Sequence, residues 1–160
     1  MSFKRVLFVC TGNSCRSVMA QGLMQHLLRR AGVETVSVNS AGIFAMEGMG
    51  PTRETQRVLQ EIGVDCSMHR ARALHQDMVE AADLVLVMEQ FHADEILARF
   101  PGARGKVHLL KTYGLSPREQ AGNPNIPDPI GKPLEVYEIC FADIREAVER
   151  VMKSLGVSAG

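Results

Sequence analysis

The sequence has no excess of charge of either sign. Lysine plus arginine number 18 and aspartate plus glutamate number 18, so the formal net charge is zero. That excludes a nucleic-acid binder working through bulk positive charge, and any anion site must be local. Cysteine is scarce. Cys10, Cys15, Cys66 and Cys140 show no paired metal-ligand spacing, and four thiols among 160 residues do not make a disulfide scaffold. Long apolar runs are missing as well. The apolar stretch near the start is continuous only over residues 6–9 and no cleavage site follows it, so it is too short for a secretory signal. No run approaches the ~20 residues that a membrane span needs. Repeats, low-complexity tracts and interdomain linkers are also absent. These absences point to a cytoplasmic, reduced protein in which a free thiol persists, without nucleic-acid or membrane partners and without a metal.

What is present fits one domain over residues 1–160: 46% apolar and 22% charged residues are ordinary for a globular chain. Residues 4–10 (KRVLFVC) read as a short buried strand and 11–14 (TGNS) as a turn. Residues 16–31 place Met19, Leu23, Leu27 and Leu28 on one helix face, ended by Gly32. Residues 35–39 alternate like a strand. Helices are expected over 51–62, with Pro51 in the first turn and Gly63 after the end, and over 76–81. A strand over 82–88 (ADLVLVM) precedes a helix over 91–100, closed by Pro101 and Gly102, and a short strand over 106–110. A long Pro-, Gly- and Asn-rich loop covers 111–133. The last helix spans 134–155, its apolar side built from Ile139, Ala142, Ile144, Ala147, Val148 and Val151, and residues 157–160 are expected to fray. Strands alternating with helices predict an α/β sandwich: a four-stranded parallel sheet with helices on both faces. Ligands of such sheets bind beyond the carboxyl ends of the strands.

The segment at such an end is Cys10-Thr11-Gly12-Asn13-Ser14-Cys15-Arg16-Ser17. A loop winding into a helix start aims backbone N–H groups at one point, which binds a phosphate-sized anion with help from the helix dipole. Gly12 permits the tight path. The Arg16 fork can hold two phosphate oxygens. The same field favours a thiolate at Cys10, the form that attacks phosphorus, and the loop amides with Arg16 would stabilise the charge on the equatorial oxygens. Ser17 is placed to hold the departing thiolate and Asn13 to brace the loop. A Cys-x5-Arg spacing alone is a common coincidence, and a cysteine ending an apolar strand is often an inert packing residue. The spacing after a strand, through glycine, into a helix is what carries the reading. The reaction also needs a proton donor. Asp128, in Ile126-Pro127-Asp128-Pro129 of the long loop, is the candidate; an Asp-Pro pair is also an ordinary turn.

The run VLFVCTGNSCRS over residues 6–17 resembles the signature of the low-molecular-weight protein tyrosine phosphatases. Ser40-Ala41-Gly42, Met68-His69-Arg70-Ala71-Arg72, the strand over 82–88 and Asp128-Pro129 resemble further motifs of that family, in its order, over essentially the whole chain. The resemblance implies Cys10 as nucleophile, Arg16 as phosphate-binding arginine and Asp128 as general acid and later base. Asn13, Ser17, Ser40 and His69 would form a network holding the loop, and Cys15 would trap Cys10 in a reversible disulfide. Cys66 and Cys140 are expected to be buried thiols. No cofactor is implied; the partners would be phosphorylated proteins, with phosphate or other oxyanions as product or inhibitor.

Three positions depart from the common family pattern. Val18 stands where proline is frequent, which is of no consequence at a helix start. Ile130-Gly131-Lys132-Pro133 replaces aromatics after the Asp-Pro, and Ser14 replaces a large aliphatic residue. The last two resemble the protein arginine phosphatase branch. Phe44, Met46 and Ile130, together with Ser14, are the candidate specificity residues. Phosphotyrosine hydrolysis is the expected function and phosphoarginine hydrolysis its alternative. Arsenate reduction would need relay cysteines, and none follows the third strand until Cys140. A binding module without turnover would need neither nucleophile nor acid.

Overall fold

The computed structural model describes residues 4–157. The parallel sheet has the order β2-β1-β3-β4, formed by β1 (Lys4–Cys10), β2 (Val36–Gly42), β3 (Leu84–Val87) and β4 (Val107–Leu109). The helices are α1 (Arg16–Arg30), α2 (Arg53–Gln60), α3 (Gln76–Ala81), α4 (Gln90–Arg99) and α5 (Leu134–Ser154).

Successive side chains of a strand point to opposite faces, and here both faces are covered. Val6 and Phe8 of β1, with Leu84 and Leu86 of β3, pack into a cluster with Met19, Leu23, Ile144, Val148 and Val151 of α1 and α5. Leu7 and Val9, with Val85 and Val87, pack on the other side with Val79 of α3 and Ala93 and Ile96 of α4. That explains the near-continuous apolar runs in β1 and β3. At the carboxyl end, Val9 pairs with Ala41 and Val87, and Cys10 with Gly42. The segments that follow β1, β2 and β3 therefore start side by side at the carboxyl end of the sheet.

The element boundaries differ from expectation where local chemistry overrides the pattern. β2 runs on to Gly42 because its ladder with β1 continues to Cys10. Pro51 lies ahead of α2 rather than in its first turn. Thr52 is the N-cap, its side chain accepting from Thr55 N–H at 3.2 Å, and such a cap fixes a helix start. α2 also stops at Gln60, short of Ile62. On α5 the buried stripe is Tyr137, Cys140, Phe141, Ile144, Ala147, Val148, Val151 and Met152. Ile139 and Ala142, expected on the apolar side, face solvent. Cys66 is only half-buried, whereas Cys140 is buried. Val157 does not fray: it is buried and its N–H bonds to Met152 O at 2.9 Å. Residues 158–160 of the expected frayed end lie outside the described residues, as do residues 1–3. Among the described residues no helix is long and apolar enough to cross a membrane.

Candidate active site

The loop after β1 takes its shape from where its carbonyls go. Cys10 O accepts from Ile43 N–H at 2.9 Å and Thr11 O from Phe44 N–H at 2.9 Å. Ser14 O accepts from Thr52 N–H at 3.2 Å, and Cys15 O from Met19 N–H at 2.9 Å in the first turn of α1. Asn13 O is 2.9 Å from His69 Nε2. A carbonyl cannot donate, so His69 donates there. In a planar trans peptide, C=O and the next N–H point in opposite directions. With these carbonyls tied outward to the scaffold, the N–H groups of Thr11, Gly12, Ser14, Cys15 and Arg16 turn the other way, into the loop. The result is an anion-binding nest that opens onto the N-terminus of α1.

Asn13 holds the centre of the loop. It is fully buried, with φ at +55°, a left-handed conformation that asparagine tolerates better than most residues. Its Nδ2 donates to Ser17 Oγ at 2.7 Å and Ser40 Oγ at 2.9 Å, and its Oδ1 accepts from Arg72 N–H at 3.0 Å. Ser40 in turn donates to Gln21 Oε1. Gly42 leaves room for the loop: a Cβ there would sit 2.6 Å from Thr11 O and 3.0 Å from Asn13 N. His69 is half-buried, and burial, aided by Arg72 and Arg70, lowers its pKa. A neutral ring carrying its proton on Nε2 suits the bond to Asn13 O.

Cys10 ends β1 with its sulfur at the loop's base, 3.0 Å from Ser17 Oγ and 3.3 Å from Asn13 N. Arg16 is 1% exposed. Its Nη1 donates to Glu89 Oε2 at 2.6 Å and to Ile126 O at 2.8 Å, while Nη2 lies 3.4 Å from Thr11 Oγ1 and 3.5 Å from Asp128 Oδ2. A guanidinium has five N–H donors, two of them on each terminal nitrogen. Glu89 and Ile126 engage Nη1, which leaves the Nε–Nη2 edge for a bidentate anion. Ile126 brings in the acid loop: it is fully buried, its N–H bonds Met88 O at 2.8 Å, and Asp128 follows within reach of Arg16.

The structure thus gathers Cys10, Thr11, Gly12, Asn13, Ser14, Cys15, Arg16, Ser17, Ser40, His69 and Asp128 around one loop. Cys15 points into the core, 3.5 Å from Tyr137 Oη and 3.6 Å from Thr52 Oγ1. Ser14 is buried, and its hydroxyl meets Cys15 Sγ at 3.7 Å. Phe44 hangs from the loop through its backbone, its ring exposed and capped by the Arg99 guanidinium 5.4 Å from the centroid. Ile130, also exposed, follows Asp128, whose Oδ1 accepts from Ile130 N–H at 3.1 Å. Met46 lies farther along the same loop as Phe44 and faces solvent.

Sequence reasoning missed Glu89, His92 and the backbone of Arg72. The one available signal was physical: a buried arginine requires a carboxylate partner, but the sequence does not say which. Burial pushes His92 down to about 3, with the nearby Arg16 charge adding to the effect. The ring is therefore neutral.

Comparison with known proteins gives the family. The family model described as low molecular weight phosphotyrosine protein phosphatase matches residues 5–159. The chain is 37% identical over 151 residues to a protein-arginine-phosphatase of Geobacillus stearothermophilus, covering 94% of this chain and 95% of the relative. It is 38% identical over 146 residues to a probable low molecular weight protein-tyrosine-phosphatase, EpsP, of Ralstonia solanacearum, covering 91% and 92%. The crystal structure of the low molecular weight protein tyrosine phosphatase from T. tengcongensis superposes with a TM-score of 0.86 at 35% identity, covering 94% of this chain and 99% of that one. On the match over nearly its whole length, this chain belongs to the low molecular weight phosphotyrosine protein phosphatase family.

Proposed function

We propose that the protein removes the phosphoryl group from phosphotyrosine on protein substrates, through a phosphocysteine intermediate on Cys10, as one phosphatase domain over residues 1–160. The observation that carries the reading is the loop whose carbonyls at Cys10, Thr11, Asn13, Ser14 and Cys15 are tied outward around a cysteine sulfur, with a buried arginine held at its Nη1 by Glu89 and Ile126. Cys10 Sγ attacks phosphorus in line, an S–P bond forms, and the P–O bond to the tyrosyl oxygen breaks. Asp128 gives its proton to that oxygen. Arg16, through Nε and Nη2, and the inward N–H groups stabilise the charge on the equatorial oxygens. Water then attacks phosphorus, Asp128 takes its proton, and the S–P bond breaks to release phosphate. The departing thiolate is received by Ser17 Oγ–H and Asn13 N–H, which lie 3.0 and 3.3 Å from the sulfur. Phosphate and similar oxyanions would inhibit by occupying the same loop. A nucleophilic free thiol suits a reducing, cytoplasmic setting.

A second reading, phosphoarginine hydrolysis, is favoured by a specific feature: Ser14 puts a small hydroxyl in the loop, and an aliphatic Ile130 rather than an aromatic residue follows Asp128-Pro129. The relative from G. stearothermophilus is named for that activity. Rates of phosphate release from otherwise identical peptides bearing phosphotyrosine or phosphoarginine separate the two. A preference for phosphotyrosine supports the first reading, and a preference for phosphoarginine the second. In both, Cys10→Ser should abolish turnover and retain phosphate binding. Turnover by that variant would remove Cys10 from the mechanism.

A further inference from the structure

The site contains a hydrogen-bonded chain whose Glu89, His92 and Thr11 side chains the mechanism above does not use. It begins at the N-terminus of α4. Glu89 N–H donates to His92 Nδ1 at 3.0 Å, so the proton of the neutral ring sits on Nε2. Nε2 lies 2.8 Å from Thr11 Oγ1 and must donate to it. Arg16 Nη2, at 3.4 Å, also points a donor at the same oxygen. A hydroxyl has one hydrogen and two acceptor sites. With His92 and Arg16 supplying donors to the acceptor sites, Thr11 keeps its own hydrogen to give away. Thr11 directly follows the nucleophile, and its hydroxyl stands beside the Arg16 edge left for the anion.

The chain closes on itself. The Glu89 carboxylate accepts from Arg16 Nη1 at 2.6 Å and from the backbone N–H of His92, as a capping box. One ring thus joins Arg16, Glu89, His92 and Thr11, and every polar direction in it follows from a donor that cannot accept or an acceptor that cannot donate. His92 is fully buried, so water does not compete for its bonds.

We propose that Thr11 is a further catalytic donor whose hydroxyl hydrogen-bonds a phosphoryl oxygen, and that His92 is the positioning residue that turns it there. This rests on the phosphatase reading and extends it. The bond is made to a charged group, so its loss should weaken oxyanion binding by roughly ten- to a hundredfold.

The test is calorimetric titration of the full chain with inorganic phosphate, together with kcat and KM on an aryl phosphate. Thr11→Val, which keeps the shape, should weaken phosphate binding at least about tenfold and lower kcat/KM. Thr11→Ser should restore both. His92→Leu should weaken binding in the parent but add less than about twofold in the Thr11→Val background. Thr11→Val binding phosphate within about twofold of the parent overturns the donor role. Additive effects of the two substitutions overturn the positioning role. If His92→Leu fails to fold, the valine and serine variants at position 11 still decide the donor role, and His92→Phe, which keeps a ring and lacks the N–H, replaces leucine in the cycle. A parent that binds phosphate but releases none from phosphotyrosine or phosphoarginine peptides would sink the phosphatase reading and leave the donor assignment to be judged on binding alone.

Discussion

Replacing Asn13 isolates what the loop's geometry is worth. Its side chain makes buried bonds to Ser17 Oγ and Ser40 Oγ at 2.7 and 2.9 Å and a half-buried one to Arg72 N–H at 3.0 Å. At about 1 kcal/mol for each hydrogen bond, removing them costs about 3 kcal/mol. The backbone at φ +55° adds about 1 kcal/mol for a residue with a Cβ and no local hydrogen bond. Asn13→Ala should therefore destabilise by about 4 kcal/mol, and Asn13→Gly, which is at ease with that φ, by about 3 kcal/mol. For a chain of this size, roughly 2–4 °C accompanies each kcal/mol, so the alanine variant should melt roughly 8–16 °C lower. Urea denaturation measures the free energies, and phosphate titration below the melting range reports the loop. Phosphate affinity should fall in both variants, because Asn13 O and N–H also lose their fixed direction. A loss under about 1 kcal/mol in the alanine variant, or a glycine variant no more stable than alanine, would refute the claim that this residue holds the loop in a strained conformation.

Other outcomes follow from the same contacts. Asp128→Ala should slow substrates with poor leaving groups far more than activated aryl phosphates, and equal slowing of both would contradict its role as acid. Gly42→Ala should cut kcat/KM by more than about tenfold, because the new Cβ would meet the Thr11 carbonyl at 2.6 Å and displace the loop; unchanged kinetics would show that the loop yields. His92 titrates near 3 when folded and near its ordinary 6.5 when unfolded. The unfolded chain thus binds a proton that the folded chain refuses, and stability is lost as pH falls below the unfolded value. Between pH 7 and pH 5 that costs about 2 kcal/mol, a loss that His92→Gln should not show; equal pH slopes would contradict the burial argument. Peroxide should inactivate the wild type reversibly and Cys15→Ser less so, as expected if Cys15 traps oxidised Cys10. Identical recovery would exclude that disulfide.

Much of this protein was legible in its sequence because local rules were sufficient. The apolar runs in β1 and β3 marked strands buried on both faces. α3 falls at residues 76–81, as its pattern predicts. Alternating strands and helices gave the parallel sheet and hence the end at which the site sits. The run from Cys10 to Ser17 stated its chemistry through residue types at close spacing.

Only the tertiary structure chose the partners of these residues across long separations. Nothing near Arg16 in sequence says that Glu89 and Ile126 will occupy Nη1 and so decide which edge faces the anion. No local signal ties Asn13 to Arg72, or Thr11 to His92: the first pair meets because the segment ahead of α3 bonds the end of β2 beside the loop, the second because β1 and β3 lie side by side. The exposed Ile139 shows the same limit. Its apolar character fits a helix, but the direction of the stripe was set by which face of α5 meets α1. A sequence specifies donors, acceptors and apolar groups; the sheet's register decides which of them meet, and the cost of leaving buried polar groups unpaired then makes that arrangement the stable one.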